Sequence, residues 1–210
     1  MLKLVPGDLW IKSLKVKRKV PNKAIFFDLD GTLWPDEGPG SIMNFEVKDF
    51  PNLNLIKSFS SEWLRVAFSN QTFFGYSKST SIFCKIKYRL ILKQLIQNDI
   101  LDVIAICHHH PSSSMSYLRL NCNYRKPYNG MLLKAMRDFN LDSGKCVVIG
   151  DRITDIIAGN DSGIQRCFLI SNHRSFEMNV SEYELKDAYV FKTGESLQSI
   201  LLNLKVESGS

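Results

Sequence analysis

No uncharged apolar run in the chain approaches the ~18 residues that a membrane-spanning helix needs. Cysteine is scarce. Five thiols, an odd number scattered over 210 residues, offer no disulfide framework of the kind small secreted domains use. Internal repeats and low-complexity tracts are also missing, which sets aside repeat architectures and linker-like disorder. The first twenty residues, MLKLVPGDLWIKSLKVKRKV, contain no continuous apolar stretch and no small-residue cleavage site. No secretory signal is expected there, and a reducing cytoplasm is the expected compartment. Charge of one sign is not in great excess: 27 Lys and Arg stand against 21 Asp and Glu, a net +6. That balance admits phosphorylated metabolites, nucleic acid or an anionic surface as partners and selects none of them. Much of the excess lies in Lys12, Lys15, Lys17, Arg18, Lys19 and Lys23, which read as a solvated basic arm.

What is present is ordinary globular material, 44% apolar and 23% charged. A chain of this length forms one domain, two at most, and buries enough surface to need no cross-links. Residues 1–22 read as a basic N-terminal extension and 23–207 as the folded domain. Short, nearly continuous apolar runs occur at 24–29, 64–69, 103–106, 146–150 and 167–170. Such runs suit strands buried on both faces, as in a parallel sheet. Between them lie helical stripes: Ile82, Ile86 and Leu90; Leu132, Leu133, Met136 and Phe139; Leu197, Ile200, Leu201 and Leu204. Strands alternating with helices predict an α/β fold, an open Rossmann-like parallel sheet flanked by helices. Pro35 to Gly40, dense in turn residues, and 107–130, with clustered Cys and His, interrupt the alternation.

Carboxylates punctuate two strand ends. Asp28 and Asp30 are two apart, so in extended chain they point the same way. Gly31 then permits a sharp turn before Thr32. Asp151 follows Gly150 at the end of a later strand, with Asp155 four residues on. Open α/β sheets bind ligands at this carboxyl lip. Four carboxylates converge at little cost only around a cation, and a hard ion such as Mg²⁺ wants oxygen ligands. Taken singly, DxDG reads as a turn and GDxxxD as a helix start. Both placed directly after apolar strands make a bare turn a poor explanation.

FFDLDGTLW, AFSN, RKP and VVIGDRITD, in this order, resemble the four motifs of the haloacid dehalogenase superfamily of phosphotransferases. The resemblance runs from residue 24 to beyond 163. It implies that Asp28 is a nucleophile forming an aspartyl-phosphate and Asp30 the acid and base. Ser69 would hydrogen-bond the transferring phosphoryl group, and Lys126 would neutralise its charge and orient Asp28. Asp28, the Asp30 carbonyl and Asp151 would ligate Mg²⁺, with Asp155 behind them. Asp30 favours a phosphatase over mutase or ATPase relatives. The short stretch from Asp28 to Ser69 implies a capless enzyme.

Cys107-His108-His109-His110-Pro111, then Cys122 and RKPYNGMLL, resembles one subgroup, the D-glycero-D-manno-heptose 1,7-bisphosphate phosphatases, kin of histidinol-phosphate phosphatases. Ser69-Asn70-Gln71 resembles that subgroup's second motif. The substrate implied is a small phosphorylated sugar, with the C7 phosphate removed in heptose biosynthesis for surface polysaccharides. Two positions depart from the pattern. Tyr124 stands where a fourth cysteine is expected, so structural Zn²⁺ on Cys107, His109 and Cys122 needs another ligand. His108 or His110 would serve, or packing alone would hold the loop. Leu29 replaces an Arg common in heptose enzymes, leaving substrate and anomer open. Thr32, Asn70, Gln71, Arg125 and Arg152 are the expected substrate contacts, since a guanidinium grips phosphate bidentately. Trp34 and Pro35 read as a flap or as packing. Cys84, Cys146 and Cys167 read as inert core thiols, and His173 as a surface residue. A monomer without membrane contact is expected. The rivals are a histidinol-phosphate phosphatase, a polynucleotide 3′-phosphatase, for which the basic arm is suited but the Cys/His loop is foreign, and a non-catalytic relative.

Overall fold

The computed structural model describes residues 8–12, 21–35, 46–59, 62–72, 82–170, 192–193 and 195–209. Most of the Pro35–Gly40 turn segment, most of the basic arm and His173 lie outside them. The described strands are β1 (Asp8–Lys12), β2 (Ala24–Phe27), β3 (Leu64–Asn70), β4 (Val103–Cys107), β5 (Val147–Gly150), β6 (Arg166–Leu169) and β7 (Lys192–Thr193). The described α-helices are α1 (Leu53–Lys57), α2 (Ile82–Gln97), α3 (Gly130–Phe139), α4 (Ile153–Asp161) and α5 (Leu197–Gly209). One sheet holds all seven strands in the order β1-β4-β3-β2-β5-β6-β7. Every pairing is parallel except β1 with β4.

The apolar runs become central strands because both their faces are covered. Ile25, Phe27, Ile104, Ile106 and Ile149 face a cluster closed by α1, α2 and α5. Ala24, Phe26, Val66, Phe68 and Val148 face a second, closed by α3 and α4. The stripe of α5 packs inward as its spacing predicts. That of α2 does not: Ile86 and Leu90 are about half exposed, and Tyr88, Ile91, Leu92 and Leu95 take the buried face. Apolar residues occur around most of this helix, and the sheet selected the other side. On α3, Leu132 and Phe139 are buried while Leu133 is exposed.

Residues 8–12, which the sequence places in the extension, form an edge strand. Leu9 and Ile11 pack against the first cluster and Trp10 against the second. Asp8 lies opposite Cys107 in the antiparallel register. Between β2 and β3, the described residues contain only a 3-10 turn and the five-residue α1, and no cap domain.

Candidate active site

β2 lies between β3 and β5, and the strand order reverses there. The crevice at such a switch point receives the carboxyl ends of the strands and whatever follows them. Asp28 follows β2, Ser69 and Asn70 end β3, and Asp151 follows β5. The Asp28 N–H donates to the Ile149 carbonyl at 3.0 Å, so the two acidic strand ends are tied together. Gly31 has φ +76°, and a Cβ there would run into the Asp151 carboxylate. Only glycine lets the turn pass this close.

Lys126 is buried at the centre. Its Nζ donates to Asp28 Oδ1 at 2.6 Å and to the Phe68 carbonyl at 3.2 Å. It also lies 2.5 Å from Asp155 Oδ1. Burial acts to lower the ammonium pKa, but Asp155 and Asp28 outweigh it and the net shift is upward. Asn70 clamps the backbone beneath it: its Nδ2 donates to the Lys126 carbonyl and its Oδ1 accepts from the Lys126 N–H, each at 2.9 Å. Asn70, expected at the substrate, therefore positions Lys126. Asp155 does two jobs, since its Oδ2 also accepts from the Arg152 N–H at 3.0 Å at the start of α4.

Asp28, Asp151 and Asp155 offer carboxylate oxygens all within 4.8 Å of one another. Burial and the charges of Asp28 and Asp155 push Asp151 up to about 9. Burial raises Asp155 to about 6 against the pull of Lys126. Asp151 Oδ1 is buried without a hydrogen-bond partner. One ammonium among three carboxylates leaves negative charge uncompensated, and the donors are all oxygen. The residues fit Mg²⁺.

Asp30 is held from two sides. Trp34 Nε1 donates to its Oδ1 at 2.6 Å, and Gln71 Nε2 donates to its Oδ2. Gln71 Nε2 also reaches Ser69 Oγ at 3.0 Å, so Asp30 and Ser69 share one amide. Trp34 is buried against Phe50 and Tyr88, which makes it packing and positioning residue rather than flap. The Thr32 hydroxyl is buried without a partner. Arg125 Nη1 donates to the His109 carbonyl at 3.0 Å. Arg152 is half exposed, its Nε 3.9 Å from Asp151 Oδ2.

The residues expected at the reacting centre come together here: Asp28, Asp30, Ser69, Lys126, Asp151 and Asp155. Cys107, His109 and Cys122 also meet, in a second cluster with Asp8. Neither His108 nor His110 belongs to that group. His110 Nδ1 instead accepts from the Ser112 N–H at 3.0 Å. Asp8 carried no sequence signal of a role, because its nearness depends on pairing across nearly a hundred residues. The bonds of Trp34 and Gln71 to Asp30 were equally unreadable, although both residues flank the motifs. Cys146 and Cys167 are buried thiols raised to about 11 and about 12 chiefly by burial, as inert core residues should be.

A sheet of this order with acids at the switch point matches the fold of the haloacid dehalogenase class of phosphatases. The HAD-hydrolase-like family model matches residues 123–193. The chain is 31% identical over 187 residues to D-glycero-beta-D-manno-heptose-1,7-bisphosphate 7-phosphatase of Haemophilus influenzae, covering 88% of this chain and 99% of that one. It is 30% identical to the Pasteurella multocida protein of the same name, over 87% of this chain and 98% of the other. In fold it is similar to D,D-heptose 1,7-bisphosphate phosphatase of B. bronchiseptica, solved with magnesium and phosphate. There the TM-score is 0.60 at 23% identity, over 88% of this chain and 99% of that one. The chain belongs to the heptose-bisphosphate phosphatase group of the haloacid dehalogenase superfamily, and it is a phosphatase. Among the described residues no helix is long and apolar enough to cross a membrane.

Proposed function

We propose that the chain hydrolyses a phosphomonoester through a phosphoryl group carried on Asp28, and that its substrate is D-glycero-D-manno-heptose 1,7-bisphosphate, cleaved at C7. The observation that carries the chemistry is the Lys126–Asp28 contact at 2.6 Å, inside a triad of carboxylates suited to a divalent ion. Asp28 attacks phosphorus as the bond from phosphorus to the sugar oxygen breaks. Asp30 gives its proton to that oxygen. It then takes a proton from the water that attacks the phosphoryl-Asp28, releasing phosphate and restoring the carboxylate. Lys126 fixes the rotation of Asp28 and offsets phosphoryl charge, and Ser69 and Thr32 supply hydroxyls to the phosphoryl oxygens. Mg²⁺, held by Asp28, Asp151 and the Asp30 carbonyl, would neutralise the charge that otherwise repels phosphate from the acids. Arg125, next to Lys126 in sequence, and Arg152, whose Nε is 3.9 Å from Asp151 Oδ2, would meet the far end of a bisphosphate.

The substrate rests on the relatives' names and near full-length coverage. A phosphate-release screen tests it. Heptose bisphosphate should be hydrolysed with the highest kcat/KM in a panel containing histidinol phosphate, hexose phosphates, nucleotides and a 3′-phosphorylated oligonucleotide. A preference for any other member would overturn the substrate assignment. Excess chelator should stop release from every substrate, and an unchanged rate would remove the metal from the mechanism.

A further inference from the structure

The second cluster lies behind the Lys126 loop, outside the reacting centre. Asp8, Cys107, His109 and Cys122 present one ligand atom each, all within 4.8 Å of one another. His109 Nδ1 is 3.4 Å from Cys107 Sγ and 3.0 Å from Asp8 Oδ1. Cys122 Sγ is 3.7 Å from each Asp8 carboxylate oxygen. Zn–S bonds of about 2.3 Å and Zn–N and Zn–O bonds of about 2.0–2.2 Å, at tetrahedral angles, place ligand atoms roughly 3.3–3.6 Å apart. The observed separations, 3.0–3.7 Å, bracket that range. The side chains of Asp8 and His109 are 1% and 0% exposed, and both cysteines are buried. A carboxylate shut away beside two sulfurs and an imidazole is expensive without a cation to offset it.

We propose that Asp8 supplies the fourth ligand of a tetrahedral Zn²⁺ site with Cys107, His109 and Cys122, so that the metal fastens the N-terminal edge strand to the loop carrying Lys126. Sequence alone leaves the fourth place vacant at Tyr124. The fold fills it from the other end of the chain, since the β1–β4 register sets Asp8 directly opposite Cys107. Aspartate for cysteinate exchanges one monoanionic ligand for another, so the charge around the ion is conserved. Tyr124 stays in the loop as a buried ring, and its N–H donates to Cys122 Sγ at 3.4 Å. The softer thiolates and the imidazole select Zn²⁺ over Mg²⁺, which suits the all-oxygen cluster at the sheet's switch point. The link onward is short: the His109 carbonyl accepts from Arg125, next to Lys126.

The proposal stands apart from the substrate assignment, and its test reads the metal directly. Purified full-length protein, stripped by chelator and titrated with ZnCl₂ alone, should take up about one ion per chain at this site and gain thermal stability. Co²⁺ in its place should show the visible absorption of a tetrahedral ion with thiolate charge transfer. Asp8→Ala should weaken Zn²⁺ binding by at least about 100-fold, since even indirect partners of a metal site are worth about 10–100-fold. Asp8→Cys should keep the ion and raise the thiolate-to-cobalt absorption by about half, as a third thiolate joins two; a purely structural Asp8 would leave that band unchanged. If Asp8→Ala does not fold, the Asp8→Cys spectrum decides. Failure of the wild-type chain to take up Zn²⁺, undiminished affinity in Asp8→Ala, or an unaltered cobalt band in Asp8→Cys would each overturn the proposal.

Discussion

Asp30 cannot serve as acid and base unless its carboxyl stays where the leaving oxygen arrives. Trp34 and Gln71 hold it there, one on each oxygen. Gln71→Met keeps the size of the side chain and removes the donor. It should lower kcat by up to about 100-fold with KM little changed, the magnitude expected when a catalytic group is misplaced by about an ångström. Steady-state kinetics checks this, and a rise in KM at constant kcat would make Gln71 a binding residue instead. Asp151 yields a second prediction. Its carboxyl titrates near 9, far above an ordinary aspartate, so at neutral pH the metal-free protein carries a proton there. Mg²⁺ must displace that proton. Apparent Mg²⁺ affinity should therefore rise about tenfold per pH unit below about 9 and level off above it. Titration calorimetry at pH 6, 7 and 8 measures the slope, and a flat profile would show that Asp151 is already ionised. In sequence the acids were legible because their spacing after apolar runs is local. Their helpers were not, because a tryptophan four residues on and a glutamine on another strand have no distinguishing pattern.

At the scale of elements, the burial of α2 is the most exposed to test. Ile91 lies in the core and Leu90 beside it is half exposed. Ile91→Ala should cost about 2–5 kcal/mol of unfolding free energy and Leu90→Ala less than about 0.5 kcal/mol. Denaturant titration of both variants separates them, and a larger loss for Leu90→Ala would place the helix the other way round. The central strands were readable because burial on both faces leaves an unbroken apolar run. The face of α2 was not, because Ile82, Ile86 and Leu90 satisfy the helical period as well as the residues that are buried. β3 and the start of β4 are joined by a contact that no period reveals. Arg65, fully buried on β3, donates from Nε at 2.9 Å and from Nη2 at 2.9 Å to the two oxygens of Asp102. Nη2 also meets Asp99 Oδ1 at 3.1 Å. Asp102→Ala strands that guanidinium and should destabilise by about 3–5 kcal/mol, whereas Arg65→Met combined with Asp102→Leu, which removes both charges together, should cost less. Thermal denaturation compares the two.

Across the whole molecule, the parallel strands gather residues far apart in sequence at one lip of the sheet. Asp28, Ser69, Lys126 and Asp151 come from four separate segments and meet because β2 has neighbours on both sides. That convergence was foreseeable from motif order. The edge strand was not: five residues in a basic segment carry too little apolar signal, and β1 acquires its meaning only by pairing with β4. The proposed chemistry reduces to a phosphoryl group resting on one carboxylate. Acid-quenching the Mg²⁺-loaded enzyme during turnover of a phosphomonoester, followed by peptide mass mapping, locates that group. A phosphorylated peptide containing Asp28, absent from an Asp28→Asn variant that releases no phosphate, is the expected result. Phosphate release by Asp28→Asn at the wild-type rate, or a phosphoryl group on any other residue, would contradict it.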